Sequence, residues 1–467
     1  MIDNSNNRGE LLAKFKDRLQ EDKFLTRQLV SFQANKMTPI YRWFKYKEGF
    51  SANLVKYYIE KFNMSNKRVL DPFAGAGTSL FVAADYGCNC VGIELLPVGV
   101  YVMQQKVRID EINLPELKKT TQNLWYHVEA IAEYENHIKH IPITASAFPN
   151  KTEELLNKYL TYTNSLKNGV HSALNFAAFA VLEDISYTRK DGQYLRWDYR
   201  SNRQLRDKFD KGKIDDLKTA INNKINEIIT DLSPQPTNSL FPTEQKGNTK
   251  GNISIIEGSC LHELPKLQNN SIDFIITSPP YANRYDYTRT YALELIFLGS
   301  DNQKVKNLRQ QMLSCTVENK SKITELQDFY TKINRSDDYD KVITVFESNN
   351  VLNEILTILE KYKNEKKLNN SDVLRLVKNY FLEMCFTIFE MSRILDEGGK
   401  IVMVNDNVQY AGEEVPVDLI LSDFAEKFGL SVENIFVLSQ EKGNSSQQMG
   451  NHGRTPLRKC VYVWQKN

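Results

Sequence analysis

Metal-binding signatures are missing from this chain of 467 residues. The six cysteines (Cys88, Cys90, Cys260, Cys315, Cys385 and Cys460) form no C-x-x-C pair, and the histidines form no H-E-x-x-H. No metal site is expected, and the thiols are expected to be buried and reduced in a cytoplasmic protein. Long apolar runs are lacking too: "ALNFAAFAVL" and "IDFII" fall well short of the roughly 18 to 20 residues of a membrane span, so no membrane partner is expected. The start, "MIDNSNNRGELL", has neither the basic nor the apolar region of a secretory signal. A net charge of only +2 gives no chain-wide attraction to a polyanion. A nucleic-acid surface would have to be a local patch.

What is present is an ordinary soluble composition, 41% hydrophobic and 25% charged, on a chain long enough for two or three domains or for one domain with large insertions. Short apolar runs recur at 68–75 (RVLDPFAG), 88–95 (CNCVGIEL), 252–258 (NISIIEG), 271–277 (SIDFIIT), 399–405 (GKIVMVN), 432–438 (VENIFVL) and 459–465 (KCVYVWQ). The first five lack clean alternation, as strands buried on both faces of a parallel sheet do. Helical stretches lie between them. The clearest is expected to open at Ser371 and stop at the glycine pair 398–399. This alternation points to a doubly wound α/β sheet, with the last two strands adding an antiparallel edge. Two stretches interrupt it, one of them ending in the linker "SPQPTNSLFPTEQKGNTKGN".

Two features carry chemistry. "RVLDPFAGAGTSLF" is a strand, a tight glycine turn and a helix, with Gly75 and Gly77 letting backbone approach a ligand at a helix start. No Gly-Lys-Ser/Thr follows, which excludes a Walker loop. Leu80 stands where a dinucleotide fingerprint has its third glycine. Such a turn alone is also compatible with no ligand. Glu94 closes the next strand, where a carboxylate can accept both hydroxyls of a ribose, and the pair points to an adenosine-containing cofactor. The second feature is "TSPPY", 277–281. Pro279 and Pro280 can neither extend a helix nor sit inside a central strand, so the chain must make a rigid corner there.

"DPFAGAGT" followed by "TSPPY" resembles motifs I and IV of the S-adenosylmethionine-dependent amino-methyltransferases of DNA, which modify cytosine-N4 or adenine-N6. The resemblance implies a Rossmann-like class I methyltransferase sheet, mostly parallel with an antiparallel last strand, carrying two large, largely helical insertions. It divides the chain into an N-terminal helical segment (1–40), the cofactor half of the core (41–109) and a candidate target-recognition insertion (110–250). The catalytic strand (251–300), a helical insertion (301–370) and the rest of the core (371–467) follow. It also implies that Asp71, Pro72, Phe73, Ala74, Gly75, Gly77, Thr78 and Glu94 hold S-adenosylmethionine. "NISIIEGSC" resembles motif III with Ser259 in place of the usual acid, so Ser259 and Cys260 are candidates for the adenine. "YRWFKYKEGF" resembles motif X, giving Lys47 and Phe50 at the methionine end.

An exocyclic amine is a poor nucleophile because its lone pair is delocalised into the ring. Acceptors for both N–H groups favour a pyramidal nitrogen and stabilise its developing charge. By resemblance these are Ser278 Oγ and the Pro279 carbonyl, held by Pro280, with Tyr281 stacking on a base swung out of double-stranded DNA. Serine at 278 favours cytosine-N4 by family resemblance, although its hydroxyl could serve adenine as well. The order of motifs, cofactor before catalytic, differs from the permuted order of many Ser-Pro-Pro-Tyr cytosine enzymes. For DNA contacts, Arg189, Lys190, Tyr194, Arg196, Trp197 and Arg200 interleave cations with aromatics, while Arg284, Tyr287 and Arg289 follow the corner. The implied partners are duplex DNA and a cognate restriction endonuclease or other defence-system subunits. An RNA base methyltransferase and a non-catalytic recognition subunit are the rival readings.

Overall fold

The computed structural model describes residues 7–134, 138–191, 194–205, 208–234, 250–438 and 457–467. In chain order the strands begin with β1 (Leu19–Gln20), β2 (Arg68–Asp71), β3 (Asn89–Glu94) and the hairpin β4 (Thr188–Asp191) and β5 (Tyr194–Trp197). They continue with β6 (Ile253–Glu257), β7 (Ile272–Thr277), β8 (Leu395–Asp406) and the short pair β9 (Val408–Tyr410) and β10 (Glu413–Val415). β11 (Leu430–Val437) and β12 (Lys459–Lys466) complete the set. The main sheet runs β1-β11-β12-β8-β7-β2-β3-β6, and β12 alone is antiparallel to its neighbours.

The unbroken apolar runs are explained by burial on both faces. Ile275, Ile401 and Met403 face one core with Tyr380, Met384 and Ile388 of the helix Val373–Ile394. Their neighbours Phe274, Ile276, Val402 and Val404 face another with Leu54, Val55 and Ile59 of the helix Ala52–Lys61 and Leu80 of the helix Thr78–Asp85. Each such side chain contributes roughly 1.5 to 3 kcal/mol of burial, so a polar residue on either face would be costly.

Two expectations are corrected. The last two strands make no antiparallel edge: β12 lies between β8 and β11, and β11 pairs in parallel with β1. The reason is that Cys460–Trp464 is buried throughout, which suits an interior strand. The long helix is preceded by Asp372 rather than Ser371 and ends at Ile394. Gly398 and Gly399 fall inside β8, where a Cβ on Gly399 would stand 2.9 Å from the Asp273 carbonyl. The linker region 235–249 and the β11–β12 connection at 439–456 lie outside the described residues.

The helices Asn302–Gln311, Ile323–Lys332, Ser336–Glu347 and Asn350–Asn364 occupy the second interruption. Leu326, Tyr330, Val342, Leu352 and Ile355 join the core of the long helix, and Lys322 ties the segment to Glu383 at 2.9 Å. The first interruption builds its own core, which takes in Tyr291, Leu295 and Ile296 from the segment after Tyr281. The β4–β5 hairpin is tied to that segment by the buried pair Lys190–Glu294. All six cysteines are free and buried. Among the described residues no helix is long and apolar enough to cross a membrane, and no three acidic, histidine or cysteine side chains form a metal cluster.

Candidate active site

β2 ends at Asp71, and the chain turns through Gly75 (φ +52°) and Gly77 (φ +78°) into the helix Thr78–Asp85. A Cβ on Gly75 would lie 2.8 Å from Tyr46 Cε1, so both backbone conformation and space exclude a side chain there. Asp71 accepts from Ser79 Oγ at 2.5 Å, Thr277 Oγ1 at 2.6 Å and the Phe73 amide at 3.0 Å. It therefore joins the end of β2 to the end of β7 and the start of the helix. Burial pushes its pKa up to about 6, against the effect of these bonds.

Glu94 closes β3 and accepts from the Gly75 amide at 2.7 Å and the Leu96 amide at 2.6 Å. Burial, opposed by these bonds and reinforced by the Asp71 charge, raises its pKa to about 7. Because this lies above the unfolded value of 4.5, the stabilising neutral form is fully present below pH 4.5 and is lost as pH rises through 7. The melting temperature of Glu94→Gln relative to wild type, both without ligand, should therefore climb between pH 5 and pH 8, by the equivalent of on the order of 3 kcal/mol. A difference that stays flat across that range would contradict the burial of this carboxylate.

A cavity opens above the turn. It is lined by Asp71, Pro72, Phe73, Ala74, Gly75, Thr78, Glu94, Ser259, Cys260 and Phe50, all anticipated from the sequence. Gly77, the residue before the helix Thr78–Asp85, does not line it. Ser259 Oγ donates to the Gln311 carbonyl at 3.1 Å, leaving its lone pairs to accept.

A second cavity lies beside the first, lined by Pro279, Tyr281, Lys47, Tyr285, Asp406, Asn407 and Lys459 among others. Ser278, Glu48, Gly49 and Tyr287 line both, while Pro280 faces the first only. The Ser-Pro-Pro-Tyr corner is thus the partition between two chambers. Ser278 Oγ donates to the Val404 carbonyl at 3.2 Å and lies 3.2 Å from the Tyr281 hydroxyl. With its proton directed at Val404, its oxygen is left as an acceptor. The Tyr410 hydroxyl holds the Ala282 carbonyl and fixes the exit of the corner.

Similar proteins identify the family of the chain. A family model described as DNA methylase, of the N6/N4 methyltransferase group, matches residues 13–105. The Type II methyltransferase M.AvaI of Nostoc sp. is 44% identical over 461 residues, covering 98% of this chain and 92% of that protein; M.AvaI of Anabaena variabilis gives the same figures. The Type II methyltransferase M.BsoBI of Geobacillus stearothermophilus is 40% identical over 468 residues, covering 96% and 90%. The chain belongs to the DNA amino-methyltransferases. Its sheet is the Rossmann-like sheet of that family, and the protein is an enzyme.

Several residues of this methyltransferase sit elsewhere than the sequence suggests. Lys47 lines the second cavity rather than the first, and its ammonium bonds the Lys190 carbonyl. Lys190 is buried against Glu294 instead of facing solvent. Arg200 is engaged by Asp198 at 2.6 and 2.8 Å, and Trp197 lies under the Arg203 guanidinium at 3.9 Å. Arg189 and Arg196 are exposed, the latter 3.5 Å from Asp191. Tyr194 lies on β5. Beyond the corner, Tyr287 lines both cavities, whereas Arg284 bonds Asn369 at 3.2 Å and Arg289 bonds Glu318 at 2.7 Å, and neither arginine lines either cavity.

Sequence reasoning missed Glu48, Lys106, Asp406 and Lys459. Glu48 accepts from Tyr291 at 2.6 Å and from Tyr285, and so locks the motif X-like segment to the chain after the corner. Burial raises its pKa against those two bonds. A glutamate inside the aromatic run "YRWFKYKEGF" was the available signal. Lys459 and Asp406 gave none, since they meet only through β12–β8 pairing.

Proposed function

We propose that the enzyme transfers the methyl group of S-adenosylmethionine to the N4 amine of a cytosine swung out of duplex DNA. Within that role it is the protective half of a restriction-modification pair with a cognate endonuclease. The observation that carries this reading is the shared wall at Ser278, with a chamber over the glycine turn and Glu94 on one side and a second chamber on the other. Bound in the first, S-adenosylmethionine supplies a methyl group on a sulfonium, an electrophile that needs only alignment. Glu94 would accept from the ribose hydroxyls and Ser259 from the adenine amine. Ser278 Oγ and the Pro279 carbonyl would engage the two N–H groups of the target, with Tyr281 against the base.

Cytosine rather than adenine is favoured by Lys459. Its ammonium lies in the second chamber, 5.5 Å from the centre of the Tyr281 ring and 3.3 Å from Asp406. Burial is the largest effect and opposes the charge, but Asp406 and Tyr281 together more than offset it and the pKa is raised, so the lysine is a permanent donor. Beyond the amine, the edge of cytosine offers the ring N3 and then O2, both acceptors, whereas adenine offers N1 and then a C–H. The relatives named Type II methyltransferases support the restriction-modification setting.

Transfer of labelled methyl from S-adenosylmethionine to duplex DNA and to RNA, followed by nucleoside analysis, tests the reading. Label in duplex DNA as N4-methylcytosine is the expected result; label in RNA, or as N6-methyladenine, would overturn it. Lys459→Met should lower kcat/KM for DNA by roughly 10- to 30-fold while leaving cofactor affinity unchanged. An unaltered rate would remove Lys459 from base recognition.

A further inference from the structure

Lys106 is buried at 5% exposure in the last turn of the helix Pro97–Val107, and it lines the first chamber. Its ammonium donates to the Ala76 carbonyl of the glycine turn at 2.9 Å and lies 5.4 Å from the ring centres of both Tyr41 and Phe81. These faces suit a cation. Among the described residues no carboxylate bears on it, and burial alone lowers its pKa to about 7. An ammonium removed from water without a counter-ion is costly, and the usual remedy is an opposite charge close by. Among the described residues the two other buried lysines have that remedy within the chain: Lys190 has Glu294 and Lys322 has Glu383. Lys106 has an open chamber instead.

We infer that Lys106 is the counter-ion for an α-carboxylate at the amino-acid end of the ligand in the first chamber. The inference rests on the cofactor reading above and adds to it a residue and a direction. Of the charged groups on S-adenosylmethionine, the sulfonium and the amino group would be repelled by an ammonium, so only the carboxylate can sit there. The placement also fits the length of the ligand. Gly99, at the start of the same helix, packs on Glu94, and seven residues of helix, about 10 Å, separate it from Lys106. That span is comparable to the chain joining the ribose to the carboxylate. The ligand would then lie along this helix, ribose at Glu94 and carboxylate at Lys106, with its sulfonium between them beside Ser278.

Calorimetric binding of S-adenosylhomocysteine, which has the carboxylate, and of 5′-methylthioadenosine, which lacks the whole amino-acid end, separates this role from a structural one. Lys106→Met should weaken S-adenosylhomocysteine by roughly 30-fold or more while leaving 5′-methylthioadenosine within about threefold of wild type. Lys106→Gln, which can still donate to the Ala76 carbonyl, should behave like the methionine variant because the charge is what is lost. Equal weakening of both ligands, full retention of S-adenosylhomocysteine affinity, or rescue by glutamine would each overturn the inference while leaving the cofactor reading intact. Wild-type protein that binds neither ligand would overturn both.

Discussion

Ser278→Ala is expected to slow methyl transfer by about a hundredfold to a thousandfold, the range seen when one preorganised partner of a developing charge is removed. Cofactor affinity should stay within about a factor of two. The side chain is small and makes two long bonds, to the Val404 carbonyl and the Tyr281 hydroxyl, each 3.2 Å; the loss of stability should be no more than about 1 kcal/mol. What disappears is the acceptor in the wall between the chambers, whereas the Pro279 carbonyl remains. Single-turnover rates on duplex DNA, with calorimetry as the binding control, would show this. A variant as fast as wild type would mean that the hydroxyl does not engage the amine, whatever the corner's other duties.

Glu94→Ala should act on the opposite property. Its carboxylate is placed for two ribose hydroxyls, and charge-assisted bonds contribute roughly 1.5 to 3 kcal/mol each. Part of that is offset because the same oxygens already accept from Gly75 and Leu96. A loss of about a hundredfold in affinity for S-adenosylmethionine is expected, with the rate at saturating cofactor and DNA largely preserved. Comparison with Glu94→Gln, which retains one acceptor, should give an intermediate affinity. Equal affinities for alanine variant and wild type would exclude Glu94 from the cofactor site.

These two positions were legible in the sequence because Glu94 closes a strand and Ser278 directly follows one. The glycine turn places Asp71 and Gly75, and the proline pair places Ser278; local chain stiffness makes such positions readable. The sheet was legible for the same reason: strands buried on both faces need uninterrupted apolar residues. The position of β12 was not, because insertion between β8 and β11 depends on which buried strand finds which partner, and "KCVYVW" would suit several neighbours. Lys459 and Asp406 were hidden for that reason too. Lys106 is different. It lies four residues after Val102 and three after Met103, both fully buried, so the helical period already set a lysine on an apolar stripe.

The cation-rich stretch from 187 to 206 shows how composition can mislead. Its lysine and arginines suggested a row of phosphate contacts. In the fold, Lys190 turns inward to Glu294, Arg200 chelates Asp198 and Arg203 covers Trp197. Asp198 and Asp191 are the partners of Arg200 and Arg196, and Lys190 fastens the hairpin to Glu294 of the segment that follows the Ser-Pro-Pro-Tyr corner.

The decisive measurement is a crystal structure of the enzyme with S-adenosylhomocysteine and duplex DNA carrying its target site. The expected result is a cytosine turned out of the helix into the second chamber, its N4 within hydrogen-bond distance of Ser278 Oγ and the Pro279 carbonyl and facing the ligand's sulfur. A target base that stays stacked, or an amine turned away from Ser278, would contradict it.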